Sequence, residues 1–366
     1  MEALARRQME AWKSLEQGAA DPLLPQIEAF LADGPGAPET TRIAAPRPTP
    51  PQNRRLALET WGNRLYRQIG AEVPRGAIYV NVAQHFLEMP FLFRWLARRP
   101  DVVPVFFLHD ILPIEFPEYF PAERKLRFPR ILATALSRGR ALIVTCETTG
   151  ERIRRYARDH GHGPVPVHVA PLPADDALHI RPDPGRPVDP VPFVMAIGTV
   201  EPRKNHLLLL HLWRRFAERS IAAPKLLIVG HIGWNNEMVL DMLDRSPGLR
   251  GRVLQVSGLS DAACRQLLGR ARALLAASFS EGYGIPLVEA LTSGVPVICS
   301  DIPVFREITQ GVAEFCHPLD GPGWERAILR HMTTGHSLAA RAGAAAFNPP
   351  TWERYFDDLL AFLAGL

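Results

Sequence analysis

No apolar run in this 366-residue chain approaches the roughly 18 residues that cross a bilayer, so no transmembrane helix is expected. The opening residues, MEALARRQMEAWKSLEQ, lack the apolar centre of a secretory signal; they read as an amphipathic helix, and the chain as cytoplasmic. Cysteine is scarce: Cys146, Cys264, Cys299 and Cys316 are scattered without a C-x-x-C spacing. They read as small buried apolar residues rather than disulfides or metal ligands. There is no G-x-G-x-x-G and no G-x-x-x-x-G-K-[ST], so a dinucleotide enzyme and a P-loop NTPase both lack support. No basic run is interleaved with aromatics in the manner of a nucleic-acid-binding surface, and no nucleic-acid partner is expected.

What charge imbalance exists is local. The formal net charge is only +4, yet residues 124–158 carry ten Arg or Lys against two acids, Glu147 and Glu151. Such a stretch is either a solvated helix face or a surface attracted to anionic lipid or a lipid-linked anionic acceptor. With 47% apolar and 22% charged residues, the chain is long enough for two domains with their own cores.

Two successive β/α alternations are legible. Strands are expected at 77–81, 102–108, 141–145 and 165–169, with helices at 91–98, 124–136 and 148–159 between them. After a proline-rich crossing at 171–192, strands recur at 193–197, 225–229, 252–256, 273–276 and 295–298. Helices near 204–218, 236–245, 260–270, 287–293 and 303–309 accompany them. This order implies an α/β fold of two Rossmann-like parallel-sheet domains facing each other across a cleft. The expected division is a helical segment and Pro-rich linker at 1–53, a first domain at 54–190 and a second at 191–348. A terminal amphipathic helix follows within 349–366. Within 1–69, residues 1–32 read as one or two helices, the stretch from 34 to 53 as a loose arm, and 54–69 as a further helix.

The stretch Ala277–Ser300, ASFSEGYGIPLVEALTSGVPVICS, is the most informative. Gly282 and Gly284 let backbone approach a ligand closely, and Pro286 suits the first turn of a helix. The free N–H groups of that turn suit a phosphate. Glu281 precedes the helix and Glu289 lies within it; taken alone, Glu289 is equally a carboxylate favoured near a helix N-terminus. Gly198-Thr199-Val200-Glu201-Pro202-Arg203-Lys204-Asn205 follows the first strand of the second domain, where Arg203 and Lys204 would neutralise a diphosphate. His109 and Asp110 end the strand VPVFFL. Two further strand-end loops, Gly230–Asn235 and Ser257-Gly258-Leu259, are either ligand loops or plain turns.

Glu281 and Glu289 framing GYGIPLV, followed by Ala290-Leu291 and by Gly294-x-Pro296-Val297, resemble the E-x7-E signature of retaining GT-B glycosyltransferases of family four (group 1). Bacterial polysaccharide mannosyl- and rhamnosyltransferases are similar. The resemblance runs from about Ile78 to Leu363. It implies two doubly wound domains, with the terminal helix crossing back onto the first. It implies a hexose donor carried as a nucleoside diphosphate sugar and an acceptor that is a surface polysaccharide or its lipid-linked precursor. By the same resemblance Glu281 faces the donor sugar and Glu289 the ribose. Arg203 and Lys204 meet the diphosphate, and Gly198, Gly282, Tyr283, Gly284, Ile285 and Leu287 line the donor. Ser257, Gly258 and Leu259 meet the base, His109 reaches the reacting sugar, and Asp110 supports its loop. No cofactor and no metal are implied, and the absence of a D-x-D pair argues against the metal-dependent class with its different fold.

Departures from the family pattern leave other readings open. Thr199 stands where many members have an arginine, and Tyr283 where phenylalanine is commoner. No convincing apolar strand precedes Ile78, so either the first sheet lacks its opening strand or the true start lies upstream of Met1. A glycosyltransferase-like binding or scaffold subunit without turnover, and a sugar-nucleotide epimerase of the same architecture, are the alternatives.

Overall fold

The computed structural model describes residues 21–33, 38–45, 73–84, 86–174 and 191–366. The helix expected in residues 1–17, the helix expected over 54–69 and most of the proline-rich crossing lie outside the described residues. The described chain opens with helix α1 (Leu24–Leu31) and a short strand, β1 (Arg42–Ala44). It then builds a first parallel sheet from β2 (Ile78–Asn81), β3 (Val103–Leu108), β4 (Ala141–Val144) and β5 (Val167–Val169), in that spatial order.

The first lobe's helices, α2 (Ala122–Arg138) and α3 (Glu147–Asp159), pack on one face of this sheet with the helical turn Pro90–Arg98. Phe106, Leu108, Leu142 and Val144 point into that layer, as alternation along a strand requires. Their neighbours Val105, Phe107, Ala141 and Ile143 point the other way and would be bare. They are covered from the far end of the chain, as described below.

The second lobe is one seven-stranded parallel sheet. Its strands β6 (Phe193–Ile197), β7 (Lys225–Val229), β8 (Val253–Ser257), β9 (Leu274–Ala276), β10 (Val297–Ser300) and β11 (Glu314–Cys316) stand in the order β1-β8-β7-β6-β9-β10-β11. Runs such as FVMAI and LLIV are apolar throughout because helices cover both faces. Those helices are α4 (His206–Glu218), α5 (Glu237–Arg245), α6 (Asp261–Arg270), α7 (Ile285–Thr292), α8 (Pro303–Ile308), α9 (Gly321–Arg330) and α10 (Thr334–Ala344). The winding reverses between β6 and β9, so a crevice opens at their carboxyl ends.

The final helix, α11 (Trp352–Ala364), returns to the first lobe. Tyr355, Leu359, Phe362 and Leu363 cover the bare face of the first sheet, and the His168 and Phe362 rings stack at 4.3 Å. Thr351 caps it by accepting from the Arg354 N–H at 3.3 Å.

The region expected to be a loose arm contains β1, which extends the second sheet rather than the first. Arg42, Ile43 and Ala44 pair with Gln255, Val256 and Ser257, and the Gln255 N–H donates to Thr41 O at 2.7 Å. Three residues flanked by proline and glycine carry no readable period; this edge strand is fixed by the ladder it joins. Helix α1 packs into the same lobe, with Ile27, Phe30 and Leu31 buried among Leu254, Leu267 and Leu268. The Lys225 ammonium lies 4.5 Å from the centre of the Phe30 ring and 2.5 Å from Asp33 Oδ1. Phe30 is 3% exposed, so Phe30→Ala is expected to destabilise the second lobe by about 3 kcal/mol. Far-UV circular dichroism in guanidinium reads this as a lower midpoint; an unchanged midpoint would mean that α1 contributes nothing to the lobe.

Candidate active site

The two loops that leave β6 and β9 meet at the switch point. After β6 the chain passes Gly198, which lies beneath the Lys204 ammonium, and makes a tight turn over Pro202–Lys204. Asn205 then takes a left-handed conformation, its side-chain amide donating to Pro318 O at 2.9 Å, and α4 begins. After β9 the chain runs through Ser278 to Gly284 and enters α7. The Phe279 N–H donates to Arg203 O at 2.8 Å, joining the two loops by their backbones.

Their side chains form a closely paired charge cluster. Glu281, only 5% exposed, accepts from Lys204 Nζ at 2.6 Å and from Ser278 Oγ at 2.8 Å on one oxygen. Its other oxygen accepts from Arg203. Arg203 turns its second terminal nitrogen to Glu201 Oε1 at 2.7 Å. Burial pushes the Glu281 carboxyl up, but Lys204, Arg203 and the Ser278 hydroxyl together outweigh it and hold the pKa down to about 2. Glu201 goes the other way: its burial outweighs the attraction of Arg203 and Lys204, and its pKa is raised. His206, at the start of α4, is kept neutral by burial and by repulsion from Lys204, its pKa lowered to about 3. Among the described residues, His206 Nδ1, Ser280 Oγ and Glu201 Oε2 are buried without a hydrogen-bond partner beside this cluster. Sequence reasoning did not assign Glu201, Ser278, Ser280 or His206. Glu201 and His206 flank the Pro202–Asn205 turn, but nothing in a sequence shows which carboxylate a buried arginine will choose.

The first lobe closes directly over this crevice. A Cβ on Gly282 would lie 2.7 Å from the Cβ of Asp110, so only glycine permits the approach. Gly282 O accepts from Thr149 Oγ1 at 3.2 Å and Cys146 Sγ at 3.3 Å. Glu307 of α8 caps α3 across the seam, accepting from the Thr148 N–H at 2.9 Å and its hydroxyl at 2.6 Å. Trp234 Nε1 donates to Tyr119 O at 2.8 Å, the Arg124 guanidinium sits 4.7 Å above the Trp234 ring, and Tyr119 stacks on Phe279. The Gly230–Asn235 loop thus latches the lobes. Asp110 accepts from the Leu112 N–H at 3.1 Å; burial raises its pKa, and it feels both Arg203 and Glu281. His109 is open to solvent, yet the surrounding protein disfavours its imidazolium and lowers its pKa.

The remaining residues singled out from the sequence divide between the crevice and the packing around it. Gly284 opens α7 at φ 123°, with Ile285 exposed, and Leu287 lines the same crevice as Lys204 and Glu281. The Tyr283 ring is buried and its hydroxyl donates to Leu172 O at 3.0 Å, so that side chain is committed to the lobe contact. Glu289 is half-buried on the α6 side of α7, beside Cys264, whose thiol is pushed up to about 12 by burial first and then by that carboxylate. Ser257 donates to Gly230 O at 3.0 Å. Gly258 packs against Ala45 just beyond β1, and Leu259 packs at the edge of the core.

Two facing parallel-sheet lobes with charged loops at the switch point define the GT-B architecture. Residues 180–315 match the family described as glycosyl transferases group 1. The chain is 32% identical over 233 residues to the serotype-specific mannosyltransferase WbdA of Escherichia coli, covering 58% of this chain and 28% of that protein. It is 25% identical over 259 residues to O-antigen chain mannosyltransferase B of Escherichia coli, covering 67% and 66% respectively. The chain therefore spans little more than a quarter of the first of these relatives. Among solved structures, Anabaena HepE in complex with UDP and glucose superposes with a TM-score of 0.62 at 18% identity, over 79% of this chain and 78% of that one. A trehalose 6-phosphate synthase from Burkholderia multivorans gives 0.61 at 13% identity, over 82% and 73%.

The buried neutral His206 makes a checkable contribution to acid stability. Its folded pKa of about 3 lies below the unfolded value near 6.5, so the unfolded chain binds the extra proton between these limits. Stability then falls as pH drops through that window, by roughly 1.4 kcal/mol per unit. Denaturation of the wild type and of His206→Gln at pH 7 and pH 5 should show a smaller loss in the variant. Equal losses would mean that His206 protonates freely in the folded state.

Proposed function

We propose that this chain is a retaining hexosyltransferase that moves a sugar from a nucleoside diphosphate donor to a hydroxyl of a glycan acceptor. The observation that carries the reading is the Arg203–Lys204 pair, held on buried carboxylates where the second sheet reverses its winding and the first lobe closes over it. Cleaving a glycosyl–phosphate bond leaves negative charge on a diphosphate and positive charge on the sugar ring. Fixed cations and backbone N–H groups stabilise the first charge without reorganising. Arg203 offers a planar fork, Lys204 a point charge, and the start of α7 a set of free N–H groups.

Without substrate those cations are neutralised by Glu281 and Glu201. A diphosphate entering the crevice takes over the cations, and Glu281 is released to accept from hydroxyls of the donor sugar. Glu289, on the neighbouring side of α7, meets the ribose, and Ser257–Leu259 the base. His109, on the opposing wall, reaches the reacting sugar. The departing phosphate takes the proton of the acceptor hydroxyl, so neither a separate protein base nor a metal is required. The mannosyltransferase relatives favour mannose as the sugar and a surface polysaccharide or its lipid-linked precursor as the acceptor.

Lipid-linked acceptors would bring the first lobe to an anionic membrane. No helix among the described residues is long and apolar enough to cross one. Val82, Phe86, Met89, Phe91 and Leu126 are exposed on the first lobe, and the Arg127–Glu88 pair joins the segment holding most of them to the basic helix α2, which supports a peripheral contact. The basic stretch is partly spent on neighbours, since Arg127 pairs with Glu88 and Arg154 with Glu147. Sedimentation with vesicles containing phosphatidylserine should retain the protein at low salt and lose it on Leu126→Glu; equal retention would remove the membrane from the reading.

One observation favours the alternative of a binding subunit without turnover. In the described residues the first sheet begins at β2, because the earlier strand β1 belongs to the second lobe. Turnover decides between the two. With GDP-mannose and a mannan oligosaccharide, product should form and Lys204→Gln should reduce it at least a hundredfold, while GDP raises the melting temperature of the wild type. Nucleotide binding without product would support the subunit; neither binding nor product, across GDP, UDP and dTDP donors, would overturn both.

A further inference from the structure

A second cluster lies far from the cleft, at the outer edge of the second sheet. Strand β11 is the last in that sheet, and Glu314 is its first residue. Helix α9 ends at Arg330, so His331 follows immediately, and His336 lies in the first turn of α10. The three side chains converge. His331 Nε2 is 3.0 Å from Glu314 Oε2, His336 Nε2 is 3.9 Å from the same oxygen, and all three atoms lie within 4.8 Å of one another. The two imidazole rings meet edge to face at 4.7 Å.

Hydrogen bonding leaves this cluster incomplete. His331 is 2% exposed, and its Nδ1 and the Nε2 of His336 are buried without a partner. The bare Nε2 of His336, turned toward Glu314 Oε2, is the atom that points to a missing partner here; His331 faces the cluster through Nε2, so its Nδ1 is not part of the site. Arg330 engages Glu314 through Oε1, which leaves Oε2 turned toward the two histidines.

We propose that Glu314, His331 and His336 bind one zinc ion, which fastens the turn between α9 and α10 to the edge of the sheet. Two imidazoles and one carboxylate form a borderline donor set that suits zinc better than magnesium or calcium. Zinc ligands at about 2.0–2.1 Å in a tetrahedron stand roughly 3.4 Å apart, between the two separations from Glu314 Oε2. The widest separation among the three, up to 4.8 Å, would have to close by about an ångström for the ion to seat, a movement that rotation of the half-buried His336 ring would supply, with solvent filling the fourth position. Arg330, on the far carboxylate oxygen, fixes the orientation of the ligand. The site lies outside the crevice and does not depend on the glycosyl-transfer reading.

The test uses the full chain without a polyhistidine tag, stripped with EDTA, loaded with zinc chloride and desalted. Elemental analysis should find one zinc per chain, with a dissociation constant below micromolar in competition with a chromophoric chelator. His336→Ala and Glu314→Gln should each weaken binding at least tenfold, and zinc should raise the melting temperature of the wild type but not of the variants. Cobalt loaded in place of zinc should show ligand-field bands without thiolate charge transfer, which distinguishes this site from the cysteines and needs no variant. Less than a tenth of a zinc per chain, a thiolate band, or full binding in a folded His336→Ala protein would overturn the assignment.

Discussion

The carboxylate of Glu281 is the constraint around which the site is assembled. It lies almost fully buried, and a charge in that position is tolerated only because Lys204, Arg203 and Ser278 all point at it. Arg203 and Lys204 come from the loop after β6, while Glu281 and Ser278 come from the loop after β9. The pairing thus fixes two loops from opposite sides of the reversal in strand order, and with them the entrance to α7. A carboxylate so placed keeps two cations together that would otherwise repel each other.

The same loop also governs how the lobes meet. Gly282 lies one residue beyond Glu281 and receives the side chains of Cys146 and Thr149 on its carbonyl. Any movement of Glu281 along the chain direction is therefore felt at the seam, where Asp110 lies against the same glycine. Around it, the contacts of Trp234 with Tyr119 and of Glu307 with Thr148 hold the lobes together from either side. The charge cluster and the lobe contacts thus occupy adjacent residues of one loop.

Much of this was legible beforehand, for physical reasons that differ between elements. The strands FVMAI, KLLIV and ALIV announce themselves because burial on both faces demands unbroken apolar runs. The crevice residues were legible because Glu281, Arg203 and Lys204 sit in short glycine- or proline-marked turns directly after such strands. Strand β1 and the edge strand β11 were not. Each has three residues, and their placement is decided by hydrogen bonding to a neighbour rather than by local pattern. Tyr283 shows the opposite limit: the motif locates it beside Gly282 and Gly284, but its ring is buried and its hydroxyl is spent on Leu172 O, which no motif reveals. Glu201 and His206 were passed over because burial, which makes them matter, is not a property of sequence.

One consequence of the chain's path concerns the boundary between the lobes. Residues near the beginning complete the second lobe through α1 and β1, and residues near the end complete the first through α11. The polypeptide is in effect cross-laced, each half holding a piece the other needs to cover its sheet. Excising either half at the crossing would expose a sheet edge or a sheet face to water. The boundary between the two lobes in space is therefore not a boundary along the chain.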